Sequence, residues 1–184
     1  MQSKKVSFTG AAGHTLAGIL DLPSGEPVAW AIFAHCFTCS KNLKAATNIS
    51  RSLSAAGIAV LRFDFTGLGQ SEGSFGETTF STNVDDLVAA AGWLGDEHQS
   101  PDILVGHSLG GTAALQAAPR LSSVAAVATI GSPADPGHVG QQDLGAVIVT
   151  PAIVAHLARR PGHDVDRDVR FGHQCPNQGT LARA

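Results

Sequence analysis

Ile103-Leu104-Val105-Gly106-His107-Ser108-Leu109-Gly110-Gly111-Thr112-Ala113-Ala114-Leu115 is the stretch whose reading decides the fold. An apolar β-branched run leads into Gly-x-Ser-x-Gly, and a helix-forming run rich in alanine follows. A sharp strand-to-helix turn exposes a serine oxygen at the end of the strand. Such a turn strains the backbone at the serine. Small residues two before and two after it, Gly106 and Gly110, keep the turn free of clashes. The N–H of Leu109, at a helix N-terminus, would face a developing oxyanion. The competing account is a chance match in a chain with 21 glycines. The strand before and the helix after argue against it.

Working outward, the same alternation recurs. Val6 to Phe8 and Leu16 to Leu22 read as two short strands joined by a Gly-rich turn. Val28 to Ala34, Ile58 to Phe63, Ile103 to Val105 and Val124 to Ile130 are short apolar runs, which suits strands buried on both faces. Between them lie helical patterns. Lys41 to Ala56 carries Leu43, Ala46, Ile49 and Leu53 on one side, with Gly57 as the stop. Asn83 to Leu94 carries Val84, Leu87, Val88 and Ala91, and Ser108 to Ala118 follows the turn. Strands alternating with helices predict a mostly parallel sheet with helices on both faces, an α/β fold.

Composition sets the outer bounds. The chain has 184 residues, 43% of them hydrophobic, which suits one domain with a single core. A net charge of −3 offers no basis for nucleic-acid or anionic-membrane binding. Met1 to Gly10 has two lysines with no apolar run behind them, so no signal peptide is expected. No segment approaches the ~20 apolar residues of a membrane span. Three cysteines are too few for a disulfide framework. The expectation is a soluble cytoplasmic protein without metal or cofactor, acting on a small-molecule acyl substrate.

Two loops need separate readings. His35-Cys36-Phe37-Thr38-Cys39 follows the strand that ends at Ala34. By position, Phe37 would give a second oxyanion N–H. His35 reads as a residue that braces the loop rather than as an acid or base. Cys36-x-x-Cys39, after a strand and before a helix, also fits a thiol-redox module. Zinc would need a second ligand pair, with His35 and Cys175 the only nearby candidates by type. Two small loop residues is the plainer reading. Asp64-Phe65-Thr66-Gly67-Leu68-Gly69-Gln70-Ser71-Glu72-Gly73 could be taken for a dinucleotide loop. Its glycines lead into more loop, Ser74 to Thr82, and not into a helix, so turn formation is the better account.

These segments carry a resemblance. Phe33 to Lys41, Leu61 to Gly69, Asn83-Val84-Asp85-Asp86-Leu87, Val105 to Gly111 and Thr129 to Pro136 together resemble the bacterial α/β-hydrolases often found fused ahead of an OsmC-type domain. The resemblance covers about residues 4 to 140. It implies the three-layer α/β-hydrolase fold and a serine hydrolase whose natural substrate is unsettled. Ser108 would be its nucleophile. No OsmC-type segment is recognisable in these 184 residues.

The character changes near Gly140. From there to Ala184 the chain has no Lys and no Glu, and Arg, His, Asp, Gly and Pro dominate. Residues 1–140 therefore read as an incomplete hydrolase core, and 141–184 as an irregular, poorly ordered tail. In such hydrolases the order is Ser, then Asp or Glu, then His, on loops after later strands. Asp143, Asp164, Asp166 and Asp168, with His156, His163 and His173, have the right types. None follows a convincing buried strand. Back-translating His163 to Cys175 and shifting one base permits Phe-Val-Ser-Asp-Ile, which resembles family sequence after the lid. A frameshift near Gly140 would account for the change. The expectation is a fold truncated at its C-terminal side, possible association through the exposed sheet edge, and a chain that is a weak hydrolase or a non-catalytic remnant.

Overall fold

The computed structural model describes residues 1–36 and 39–132. The chain runs β1 (Gln2–Thr9), β2 (Thr15–Leu22), β3 (Ala29–Ala34), α1 (Lys44–Ala55), β4 (Ile58–Phe63), α2 (Phe80–Glu97), β5 (Ile103–His107), α3 (Leu109–Ala117) and β6 (Ala126–Ile130). Short 3-10 turns lie at Phe75–Glu77 and Ala118–Arg120. Among the described residues the six strands form one sheet in the order β1-β2-β4-β3-β5-β6. β1 with β2 and β2 with β4 are antiparallel, and the pairs from β4 to β6 are parallel. The α/β architecture expected from the alternating pattern is the one observed. The assignments to the tail, 141–184, lie outside the described residues.

Period-two alternation splits the core across the sheet. Trp30, Ile32 and Ala34 of β3, with Ala59, Leu61 and Phe63 of β4, pack with Val84, Leu87, Ala91 and Leu94 of α2 and with Ala113, Ala114 and Ala117 of α3. Ala29, Ala31 and Phe33 of β3, with Val60 of β4 and Val105 of β5, pack on the other face with Ala46, Ile49 and Leu53 of α1 and with Leu43 just before it. β3 is therefore wholly buried. At roughly 25 cal/mol per Å² of apolar area, these two layers are the main favourable term of the fold. β6 departs from the expectation of a strand buried on both faces, because Val127, Ala128 and Ile130 are half-buried.

Element bounds differ from the sequence reading where local chemistry acts. α2 begins at Phe80, three residues before the apolar pattern starts. Thr79 caps it: its hydroxyl accepts from Thr82 N (3.3 Å), and Thr82 Oγ1 accepts from Thr79 N (2.9 Å). α1 begins at Lys44, not Lys41, because the Lys41 backbone N–H donates to Asp64 Oδ1 (2.6 Å). That bond holds Lys41 in the loop before the helix.

The topology positions the site. After β3 the chain crosses through α1 to β4 on one side. From β4 it crosses back through α2 to β5 on the other side of β3. Neighbouring parallel strands β3 and β5 thus send their C-terminal loops to opposite faces of the sheet. Ligands bind at such a switch point in open α/β sheets. Ala34 of β3 pairs with Gly106 of β5, so the loops beginning at His35 and His107 start side by side.

Candidate active site

Ser108 sits between the end of β5 and the start of α3. Its backbone has φ 53° and ψ −127°, and it is the only non-glycine residue with positive φ among those described. Such a conformation costs on the order of 1–3 kcal/mol and persists only where its surroundings enforce it. The Ser108 N–H donates to Ile130 O (2.9 Å), which ties the turn to β6. Its own carbonyl accepts from Gly111 N (2.9 Å) and Thr112 N (3.3 Å) and so starts the helix. A Cβ on Gly106 would lie 2.5 Å from Gly110 O and from Gly111 N. A Cβ on Gly110 would overlap the carbonyl oxygens of Ala34 and His35. Both flanking glycines are therefore required, and the second lets α3 close directly onto the end of β3.

The facing loop is fixed by buried charge. Asp64, at the end of β4 and fully buried, accepts from Lys41 N (2.6 Å) and Gln70 N (2.9 Å) and pairs with Lys41 Nζ. Lys41 Nζ also donates to Gln70 Oε1 (3.0 Å). The Lys41 carbonyl accepts from Arg62, and Arg62 Nε donates to Asp21 Oδ2 (2.7 Å). Burial raises the Asp21 carboxyl. Bonds from Arg62, Ser3 and Ser50, with the Arg62 charge, outweigh it, so its pKa lies below the usual carboxylate value. Gly69 has φ +55°, and a Cβ there would strike the Asp64 carboxylate, so glycine is required on both counts. The glycine-rich stretch after β4 is thus a turn wrapped around Asp64.

His35 is fully buried at the start of this loop. Its Nδ1 lies 2.6 Å from Cys36 O, which makes Nδ1 the protonated donor, and its Nε2 lies 3.6 Å from Asp64 Oδ1. Burial pushes its pKa below the ordinary histidine value. The Cys36 bond and the Asp64 charge oppose this, and Lys41 and His107 add to it. His35 acts as a brace between strand end and loop.

Of the residues singled out from the sequence, Ser108 and Leu109 stand at the elbow, with Leu109 the first residue of α3. Phe37 lies outside the described residues, as do Asp143, Asp164, Asp166, Asp168, His156, His163, His173 and Cys175. Cys36 and Cys39 are the two loop residues of the plainer reading. They are joined as a disulfide, which the short spacing and adjacency in one turn allow. The donor type nearest the two cysteines also differs from the sequence reading. The third candidate donor is His107, the residue before the serine, rather than His35 or Cys175. Its signal was hidden, because only the pairing of β3 with β5 brings it to the cysteines. Lys41, Arg62 and Asp64 were likewise not recognised as one cluster, although an arginine inside an apolar strand was the visible sign.

The model of the alpha/beta hydrolase family matches residues 30–183, well over half of the chain. The chain belongs to the alpha/beta hydrolase family. The matched range includes the segment after Gly140. The chain is similar to an esterase domain from Rhodothermus marinus, with 52% identity, a TM-score of 0.61, and coverage of 74% of this chain and 55% of that one. It is also similar to an α/β serine hydrolase without lid from Xanthomonas campestris, with 29% identity, a TM-score of 0.66 and coverage of 81% and 67%. Among curated proteins it is 35% identical over 105 residues to the mitochondrial palmitoyl-protein thioesterase ABHD10 of Rattus norvegicus. That match covers 56% of this chain and 34% of the relative. The chain therefore spans about a third of the curated relatives it matches. Among the described residues no helix is long and apolar enough to cross a membrane.

Proposed function

We propose that this hydrolase cleaves an ester or thioester bond of a small-molecule acyl substrate, with Ser108 as nucleophile. The carrying observation is the left-handed backbone of Ser108 between a parallel strand and a helix N-terminus. Serine hydroxyl attack on the acyl carbon would form a tetrahedral oxyanion. The Leu109 N–H, at the start of α3, is one donor to it. The Phe37 N–H is the second donor in this proposal. Collapse releases the alcohol or thiol, and water then frees the acid from the acyl-enzyme. The esterase and thioesterase relatives support the bond class.

A fluorophosphonate probe tests the nucleophile. The chain should label once, at Ser108, and Ser108→Ala should not label. Equal labelling of the variant would refute the assignment. Turnover is a separate matter. A serine without its base keeps only ~10³–10⁴-fold over water, from oxyanion hole and binding. Residues 1–184 are therefore expected to turn over a p-nitrophenyl short-chain ester far more slowly than a version with the frame restored near codon 140. Comparable rates would mean that one of His156, His163 or His173 serves as the base.

A second reading, a thiol-redox module, has the Cys36–Cys39 disulfide in its favour. Titration of free thiols before and after treatment with a dithiol separates it from the first.

A further inference from the structure

We propose that the reduced Cys36–Cys39 pair and His107 form a binding site for a thiophilic d10 metal ion of the zinc class, set between the loop after β3 and the nucleophile elbow. The two sulfurs and one imidazole nitrogen of His107 lie within 4.8 Å of one another. Tetrahedral Zn²⁺, with sulfur at about 2.3 Å and nitrogen at about 2.0–2.1 Å, places its ligand atoms roughly 3.5–3.8 Å apart. The sulfur-to-nitrogen spacing thus needs to close by about an ångström or less, while the two sulfurs, bonded in the disulfide, must move apart by about two ångströms from bonding distance. Reduction frees the sulfurs to do so.

Three features bring the donors together independently of any metal. β3 and β5 are parallel neighbours with Ala34 opposite Gly106, which sets the first cysteine beside His107. The Asp64 bond to the Lys41 backbone anchors the far end of the loop that carries Cys39. His107 Nδ1 is buried with no hydrogen-bond partner among the described residues, a situation native proteins usually avoid. His35 is not in this donor group: its Nδ1 donates to the Cys36 carbonyl and its Nε2 faces Asp64 Oδ1 at 3.6 Å.

The donor chemistry selects the ion. Two thiolates and an imidazole favour zinc, cadmium or cuprous copper over the oxygen-seeking magnesium and calcium. Three protein ligands leave one coordination position open. The balance is simple. A dithiol reductant gives two electrons and two protons to the Cys36–Cys39 bond and is itself oxidised to a disulfide. The divalent ion then displaces the two thiol protons as it binds. The oxidised protein has no thiolates and should not bind.

Cadmium is the probe, titrated into the full chain carrying Cys175→Ser and followed by thiolate-to-cadmium charge-transfer absorption. Circular dichroism monitors the fold throughout. The expected result is one ion per reduced chain and none per oxidised chain. Cys36→Ser and Cys39→Ser should each abolish the band. His107→Ala and His107→Asn should each weaken binding by about tenfold or more, at least the effect of losing a residue that merely supports a ligand. Unchanged affinity in both His107 variants would reduce the site to a plain dithiol chelate and overturn the proposal. So would binding that survives Cys36→Ser, a reduced folded chain that takes no cadmium, or loss of fold on reduction.

Discussion

At the end of β5, Ser108 is held by steric fit. Gly106, Gly110 and the positive φ of the serine are all consequences of backbone meeting backbone. Beyond the end of β3, Lys41 is held by buried charge, with Asp64, Lys41, Arg62 and Asp21 bonded in sequence. The two arms of the candidate site therefore fail in different ways. A steric hold cannot be rescued by a polar partner. A charge hold can be replaced, provided both partners are replaced together. The difference also separates chemistry from support. The serine proposed as nucleophile sits on the steric arm, and the charged arm holds Lys41 of the opposite loop.

The largest effect should come from the steric arm. Ser108→Ala is expected to remove covalent labelling by a fluorophosphonate completely while leaving the far-UV circular dichroism unchanged. No other described residue combines a serine hydroxyl with an elbow backbone.

Next comes the charged arm. Asp64→Ala leaves Lys41 buried and without its carboxylate, which should cost about 3–5 kcal/mol in denaturant unfolding. Asp64→Ala with Lys41→Met should recover much of that loss, because well-packed apolar pairs often match buried ion pairs. Gly110→Ala on the steric arm should cost about 1–3 kcal/mol through overpacking against the Ala34 and His35 carbonyls. A double variant no more stable than Asp64→Ala would show that Asp64 acts mainly by accepting the Lys41 and Gln70 backbone N–H groups.

What the sequence disclosed follows the same division. Gly106, Ser108 and Gly110 are close in sequence, and their constraint is local, so a motif reports it. The strands β3, β4 and β5 were legible for a related reason, since burial on both faces leaves short apolar runs. Asp21, Lys41, Arg62 and Asp64 meet only after β2, β4 and the loop after β3 are assembled. Their spacing in the sequence carries no period. The Thr79 cap was missed because Thr82, not Glu or Gln, fills its third position. His107 escaped notice as a partner of the cysteines for the topological reason already given, that β5 passes beside β3.

A smaller effect should appear in the pH dependence of stability. His35 has a folded pKa below the ordinary 6.5, chiefly through burial. Below 6.5 the unfolded chain takes up a proton that the folded chain resists, so stability should fall as pH falls from there to the depressed folded value. Asp21 acts in a lower window. Its depressed carboxyl contributes stability above its ordinary 3.8 that is lost as pH falls through the folded value. His35→Gln should therefore flatten the unfolding free energy just below pH 6.5 and leave the acid limb in place. Identical profiles for parent and variant would show that folding leaves the His35 pKa unchanged, against the burial argument.

The smallest effect on hydrolysis should come from the cysteines, although they lie beside the elbow. The oxyanion stabilisation proposed at this loop would use backbone N–H groups, which alanine supplies as well as cysteine. The loop keeps its anchors without the disulfide, because Lys41 N still donates to Asp64 and His35 still bonds the carbonyl of residue 36. Cys36→Ala with Cys39→Ala should thus retain fluophosphonate labelling at Ser108 and whatever ester turnover the parent shows. Its melting temperature can fall, since a cross-link restricts the unfolded chain. The same double variant should take up no cadmium, so one protein separates the hydrolytic reading from the metal site. If labelling and turnover vanish while the circular dichroism is intact, the charged arm alone does not hold the loop. The disulfide would then be part of the positioning machinery.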